Sequence, residues 1–181
     1  MRVPMRVPTP GTGEADVAAL VEAFLADPGP TSYGVLSEAV RVLPGFLVEV
    51  LPDDLARTLE TSSPEDAVHE LSALMPGALL SPSAHGALAL ALDRAGRPDG
   101  ARRHRSLRHA CLAAVLASGS GTRDEPWRVL RVSDEYDVLR HLERRPRGQQ
   151  LVETGATLLD RVEHDRGEVW FEVGSVPVAP S

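Results

Sequence analysis

The sequence predicts an α+β protein whose helices come first and whose small, mainly antiparallel sheet comes last. Two observations carry this. Before Ser118 apolar residues recur with the 3.6-residue period of amphipathic helices, and after Trp127 the period falls to two, the alternation of half-buried strands. The order of elements predicted after the glycine-rich break is β-α-β-β-β.

Over residues 14–27 the apolar positions Val17, Leu20, Val21, Phe24 and Leu25 form one helical stripe, and Asp27-Pro28-Gly29-Pro30 ends it. Residues 31–43 repeat the design through Val35, Leu36, Ala39, Val40 and Leu43. A short helix is expected over 53–61, while 46–51 fits no period. Ser63 followed by Pro64 and Asp66 is a complete helix start, an N-cap, a proline at the first helical position and an acid three residues after the cap. Residues 83–118 hold two helical runs separated by Ala95-Gly96-Arg97-Pro98-Asp99-Gly100, a helical hairpin. Leu88, Ala89, Leu92, Gly96, Arg97 and Ala101 resemble the packing positions of a tetratricopeptide hairpin, although Arg105 and Arg108 stand where that repeat wants apolar or small residues.

Beyond Trp127, residues 127–132 read as a strand and 133–142 as a short helix capped by Ser133 or Asp134. The runs QQLVET, ATLLDRVEH and GEVWFEV are three further strands, with Thr154-Gly155 and the turn before Gly167 between them. The expected division is a disordered tail over 1–13, a helical part over 14–118, and a small α+β part over 119–181 packed on it.

The chain has 181 residues, a net charge of -7 and one cysteine, Cys111. All 19 basic residues are arginine, and lysine, asparagine and isoleucine are absent, the pattern of GC-rich coding. Arginine content is therefore discounted as a functional sign. Residues 1–92 hold 12 acids against 4 arginines and residues 93–181 hold 14 against 15, an asymmetry that can mark two surfaces. One cysteine leaves no intramolecular disulfide framework, and no stretch has the length of a membrane span or the apolar core of a signal peptide. A cytoplasmic location, no membrane and no cofactor are the expectations.

Several spaced residues after Ser118 resemble the bacterial family called domain of unknown function 4919. They are the loop Ser118, Gly119, Ser120 and Gly121; the helix pair Glu135 and Tyr136; Gln149 and Leu151; Asp160; and Trp170 with Phe171. The resemblance covers about a third of the chain and implies a shared fold more than an activity. The family's loop aspartate is Ser120 here, and its aromatic before Asp160 is Leu159.

Residue type and spacing limit the chemistries the chain can carry. SGSGTRDEPW lacks the preceding strand and the Lys-Ser/Thr of a phosphate loop, so Gly119 or Gly121 is expected to end a helix in a left-handed cap. Arg94, Arg97, Arg102, Arg103, Arg105 and Arg108 give a net +5 over residues 94–108, enough to meet phosphates, but no aromatic accompanies them for base stacking. Asp134, Glu135 and Asp137 are expected to be acids favoured by a helix start. His104 and His109 lie too far around a helix to share a metal ion. Cys111 belongs to an apolar helix side.

The function expected is a non-catalytic protein-interaction or adaptor module that binds another protein. The alternative is a small-ligand or nucleotide-binding enzyme whose site combines residues 118–123 with Glu135, Gln149 and Asp160. Nucleic-acid binding through Arg102, Arg103 and Arg105 is the third reading.

Overall fold

The structure, a computed structural model, describes residues 12–155 and 157–175. Its elements in chain order are α1 (Thr12–Ala26), α2 (Pro30–Arg41), α3 (Pro52–Thr61), α4 (Pro64–Ala73), α5 (Pro82–Arg94), α6 (Pro98–Leu116), β1 (Trp127–Arg128), α7 (Val132–His141), β2 (Pro146–Thr154), β3 (Thr157–His164) and β4 (Gly167–Ser175). The fold class is α+β, as the change of period predicts. Residues 1–11 of the expected tail lie outside the described residues, while Thr12 and Gly13 open α1.

Local chemistry explains most helix boundaries. Five helices, α2 to α6, begin on proline, whose missing N–H costs nothing in a first turn. Ser63 accepts a 3.2 Å hydrogen bond from the Asp66 backbone N–H, and Ser81 does the same for Ala84. The stripe of α2 is rotated from the expected one. Tyr33, Leu36, Ser37 and Val40 are buried and Val35 is half exposed, because the Tyr33 ring turns inward to meet Phe24 at 6.1 Å.

The four strands lie in the order β1-β4-β3-β2. The last three form an antiparallel meander, and β1 adds to β4 in parallel. The expected strand over 127–132 is much shorter than its alternation indicated. Val129, Leu130 and Arg131 are all buried, and the Arg131 N–H turns away to the Asp134 carboxylate at 3.1 Å, which starts α7. The N-cap is thus Arg131, not Ser133 or Asp134.

Two cores hold the molecule. The larger takes Val17, Val21 and Phe24 of α1, Leu36 and Val40 of α2, Leu107, Cys111 and Val115 of α6, Val138 and Leu139 of α7, and Val162 and Phe171 of the sheet. The smaller joins Leu55 of α3, Val68 and Leu71 of α4, and Leu88, Ala91 and Leu92 of α5, closed at one end by Val50. Burial pushes the Cys111 thiol far above its ordinary range, as befits a packing residue. Among the described residues no helix is long and apolar enough to cross a membrane.

Candidate functional site

One arginine builds the wall of a recessed surface. Arg131, fully buried, donates from Nε to the Leu47 carbonyl and from Nη2 to the Gly77 carbonyl, both at 2.6 Å. Its guanidinium lies 4.9 Å from the Phe46 ring centre. The Leu47 N–H meets the same Gly77 oxygen at 3.3 Å. Gly77 has no room for a side chain, since a Cβ there would stand 2.1 Å from the Gly45 carbonyl oxygen. The aperiodic segment 46–51 is therefore a fixed wall, and Val50 N–H reaches Ser133 Oγ of α7 at 3.4 Å.

Between this wall, the first turns of α7 and one end of the sheet lie two clefts of about 360 and 350 Å³. The first is lined by Leu51, Pro52, Val132 and Tyr136, with Glu49, Asp53 and Arg140. The second is lined by Phe46, Val48, Leu130, Leu151, Leu158 and Val173, with Arg41 and Glu49. Glu49 and Val132 belong to both, so the clefts abut as one groove. Val48 is 72% exposed, Leu151 57%, Leu51 49% and Val132 41%, a cluster of apolar side chains of the kind that marks interaction surfaces.

Behind Tyr136 lies a polar network. The Tyr136 hydroxyl donates to Gln149 Oε1 at 2.5 Å, and Gln149 Nε2 donates to Glu135 Oε2 at 3.2 Å and to Asp160 Oδ2 at 2.6 Å. All three hydrogen-bonding capacities of the Gln149 amide that face this site are thereby used. Glu135 and Asp160 are buried, and Glu135 Oε1 and Asp160 Oδ1 have no partner. Burial first, then the charges of Asp160 and Asp134, push the Glu135 carboxyl up to about 9, so it carries its proton at neutral pH.

The other two acids of this helix are also interior. Asp134 sits 3.6 Å from Arg131 Nη1, and burial raises it to about 7 against the pull of that guanidinium. Asp137 accepts from the Ser83 N–H at 2.8 Å, from the Ser83 hydroxyl, and from Arg140 at 2.7 Å. It fastens the start of α5 to α7. Asp134 and Glu135 stand in the first turn of α7, as expected of helix-start acids, and Glu135 and Asp137 also join α7 to β2 and α5.

The structure brings Glu135, Gln149 and Asp160 together and leaves Gly119 and Gly121 apart from them, on the β1–β4 side of the sheet. Neither glycine caps α6, whose cap is Ala117. The loop closes on itself, with the N–H groups of Ser120 and Gly121 both donating to the Glu125 carbonyl. A Cβ on Gly119 would stand 2.5 Å from the carbonyl oxygens of Glu125 and Pro126. Gly121, at φ 73°, packs under the Trp127 ring. The N–H groups of Ser120, Gly121 and Glu125 are spent within the loop and are not offered to an anion.

Three of the four arginines of α6 are paired inside the chain: Arg102 with Asp99, Arg103 with Glu22 at 2.5 Å, and Arg105 with Asp93. His104 does not meet His109, which is exposed; its Nδ1 lies 2.9 Å from Nδ1 of His85, a wholly buried residue whose Nε2 meets the Leu79 carbonyl at 2.5 Å. Burial holds His85 down at about 4. Among the described residues no group of three or more histidine, cysteine or acidic side chains is placed to hold a metal ion.

Sequence reasoning missed the groove, the Arg131 clamp, the Ser83–Asp137 joint and the histidine pair. One signal for the clamp was available: an arginine between Leu130 and Val132, in a run too apolar for a surface strand. Nothing in the sequence marked His85. The residues that carried the resemblance to domain of unknown function 4919 include Glu135, Tyr136, Gln149 and Asp160, which the fold joins in one network. No family model matches the chain, and no curated protein or solved structure does so either.

Proposed function

We propose that the protein is a non-catalytic interaction module that takes an apolar segment of another protein into the groove between residues 46–53 and α7. The observation that carries this reading is the cluster of exposed Val48, Leu51, Val132 and Leu151 around two abutting clefts whose wall is rigidly clamped. A preformed wall removes the ordering cost that weakens binding to mobile loops. Glu49 and Asp53 line the first cleft, while Arg140 beside them is committed to Asp137. The segment that fits is therefore apolar with a basic side chain next to the apolar ones.

A random peptide library displayed on phage and selected on the purified chain tests this. The expected outcome is enrichment of peptides with two or more apolar residues beside an arginine or lysine. Their affinity, read by fluorescence anisotropy, should fall about tenfold in Val132→Glu and in Glu49→Arg. Val132 is the first residue of α7, where an acid is compatible with the helix dipole, so the variant keeps its fold. Selection that enriches no sequence, or peptides indifferent to both substitutions, would overturn the reading.

The second reading, a small-ligand enzyme, draws on the partnerless oxygens of Glu135 and Asp160 behind Tyr136. A nucleotide that raises the melting temperature of the wild type but not of Tyr136→Phe would move the function to that reading. In the same way, membership of the family called domain of unknown function 4919 is a proposal resting on the motif residues named above.

A further inference from the structure

The corner where α7 passes into β2 is locked to the turn between β3 and β4. Glu143, at φ 54°, reverses the chain after α7, and the Arg144 N–H closes back on the Leu139 carbonyl at 2.8 Å. The Arg145 N–H donates to Asp165 Oδ1 and the Asp165 N–H to the Arg145 carbonyl, both at 3.0 Å. Pro146 then pairs with His164 in the ladder. His164 is the centre of this corner, and only 8% of it is exposed. Its Nδ1 accepts the Arg166 N–H at 3.1 Å, so in the neutral ring the proton sits on Nε2. Burial first, then the charge of Arg144, hold the imidazole below its ordinary range; Arg166 adds to this and Asp165 opposes it. The ring is therefore neutral at pH 7, and its Nε2–H is a donor without a partner among the described residues.

We propose that Arg144, Arg166 and the His164 Nε2–H form a binding site for a phosphate monoester. Neither arginine makes an ion pair among the described residues, whereas Arg102, Arg103 and Arg105 each have an acid. Residues 143–147 and 164–166 hold four arginines against two acids, and one of those acids, Asp165, is committed to the Arg145 N–H. Like charges fixed together by the backbone raise each other's free energy, and an anion between them removes that cost. Guanidinium forks match phosphate oxygens in pairs, and a fixed neutral N–H adds a third direction. Two cations and a donor balance the nearly two charges of a monoester better than the single charge of a diester. A nucleic acid offers diesters, and residues 143–147 and 164–166 include no phenylalanine, tyrosine or tryptophan for a base to stack on. Small phosphorylated molecules and phosphorylated side chains carry the same monoester, and the two sources are separable by affinity. Arg144, His164 and Arg166 line neither cleft of the groove, so this site stands or falls apart from the peptide reading.

Titration of the full chain with phenyl phosphate, followed by NMR of histidine rings and backbone amides, tests it. The His164 ring and the Arg166 amide should shift while the His69 ring stays in place. The affinity should fall at least about tenfold in Arg144→Gln and in Arg166→Gln, and hold in Arg103→Gln, which removes an arginine of α6 instead. Arg166 is exposed and Arg144 half-buried, so neither substitution opens the core, and unshifted amides elsewhere in each variant confirm its fold. Methyl phenyl phosphate, the diester of the same body, should bind at least about tenfold more weakly. A phosphoserine peptide that binds more tightly than phenyl phosphate, and loses that binding in Arg144→Gln, assigns the site to a phosphorylated partner. Equal affinities assign it to small phosphorylated molecules. No shift at His164, shifts that persist in both arginine variants, or a diester or RNA duplex bound as tightly as the monoester would overturn the proposal.

Discussion

Arg131 does more for the candidate site than any other side chain, and it works through backbone oxygens. A buried charge is tolerated only when its hydrogen bonds and counter-charge travel with it. Here the Leu47 and Gly77 carbonyls and the Asp134 carboxylate supply them. Replacing Arg131 with Met removes the clamp and strands Asp134, and urea denaturation at pH 8 should show a loss of about 3–5 kcal/mol. The loss should be smaller at pH 5. There Asp134, already raised to about 7 by burial, takes up a proton and no longer needs a cation. Adding Asp134→Leu should recover part of the stability at pH 8, and no recovery would mean that the clamp, not the charge, dominates. Alternation placed Arg131 on a strand because periodicity records where side chains point and not which backbone groups are thirsty. The glycines of the 118–126 loop were misread for a related reason: Gly121 needs positive φ beneath Trp127, a demand set by a residue six positions away rather than by a helix end.

Among the elements, α7 is the hinge-pin of the site, tied to β2 and β3 by Gln149 and to α5 by Asp137. The carboxyl of Glu135 makes this joint sensitive to base. Its pKa is about 9 in the folded chain and near 4.5 unfolded, so between these values the folded state binds the extra proton. The sign follows: stability contributed by protonated Glu135 is complete below the unfolded value and is lost as pH rises through about 9. The unfolding free energy of the wild type should fall from pH 7 to pH 9 at up to about 1.4 kcal/mol per pH unit. Glu135→Gln, neutral at every pH and able to keep an acceptor toward Gln149, should flatten that arm. An identical slope in both chains would remove Glu135 as its cause. Helix existence was legible throughout because capping residues and apolar period agree, as at Ser63 and Val68. The shortness of β1 was not legible, since it depends on where Asp134 draws the Arg131 N–H. Nor could the sequence show that Glu135, Gln149 and Asp160 meet, although each was singled out, because register between β2 and β3 decides it.

At the scale of the whole molecule, the boundary at residue 118, where the period changes, is not a boundary in packing. Phe171 and Val162 from the sheet, both fully buried, fill the same core as Phe24, Leu36 and Val115 from the helices. Without the sheet, the inner faces of α1, α2 and α6 would present a large apolar surface to water, at about 25 cal/mol for each Å² left uncovered. The smaller core of α3, α4 and α5 has no such dependence, as its members come from residues 50–101. A chain ending at residue 118 should therefore keep helical circular dichroism in part but lose cooperative unfolding. It should bind the dye ANS, and hydrogen exchange should be slow in α4 and α5 yet fast in α1 and α2. The intact chain should protect α6 and β3 together, as one unit. If the truncated chain instead unfolds in a single sharp transition with α1, α2 and α6 protected, the helical part is a domain in its own right. The groove, whose walls come from both sides of residue 118, would then lie between two independently folded bodies. The clamp at Arg131 argues for the other outcome: it fastens residues 46–47 and 77 to the turn that starts α7, and it has no partner to hold if either side is removed.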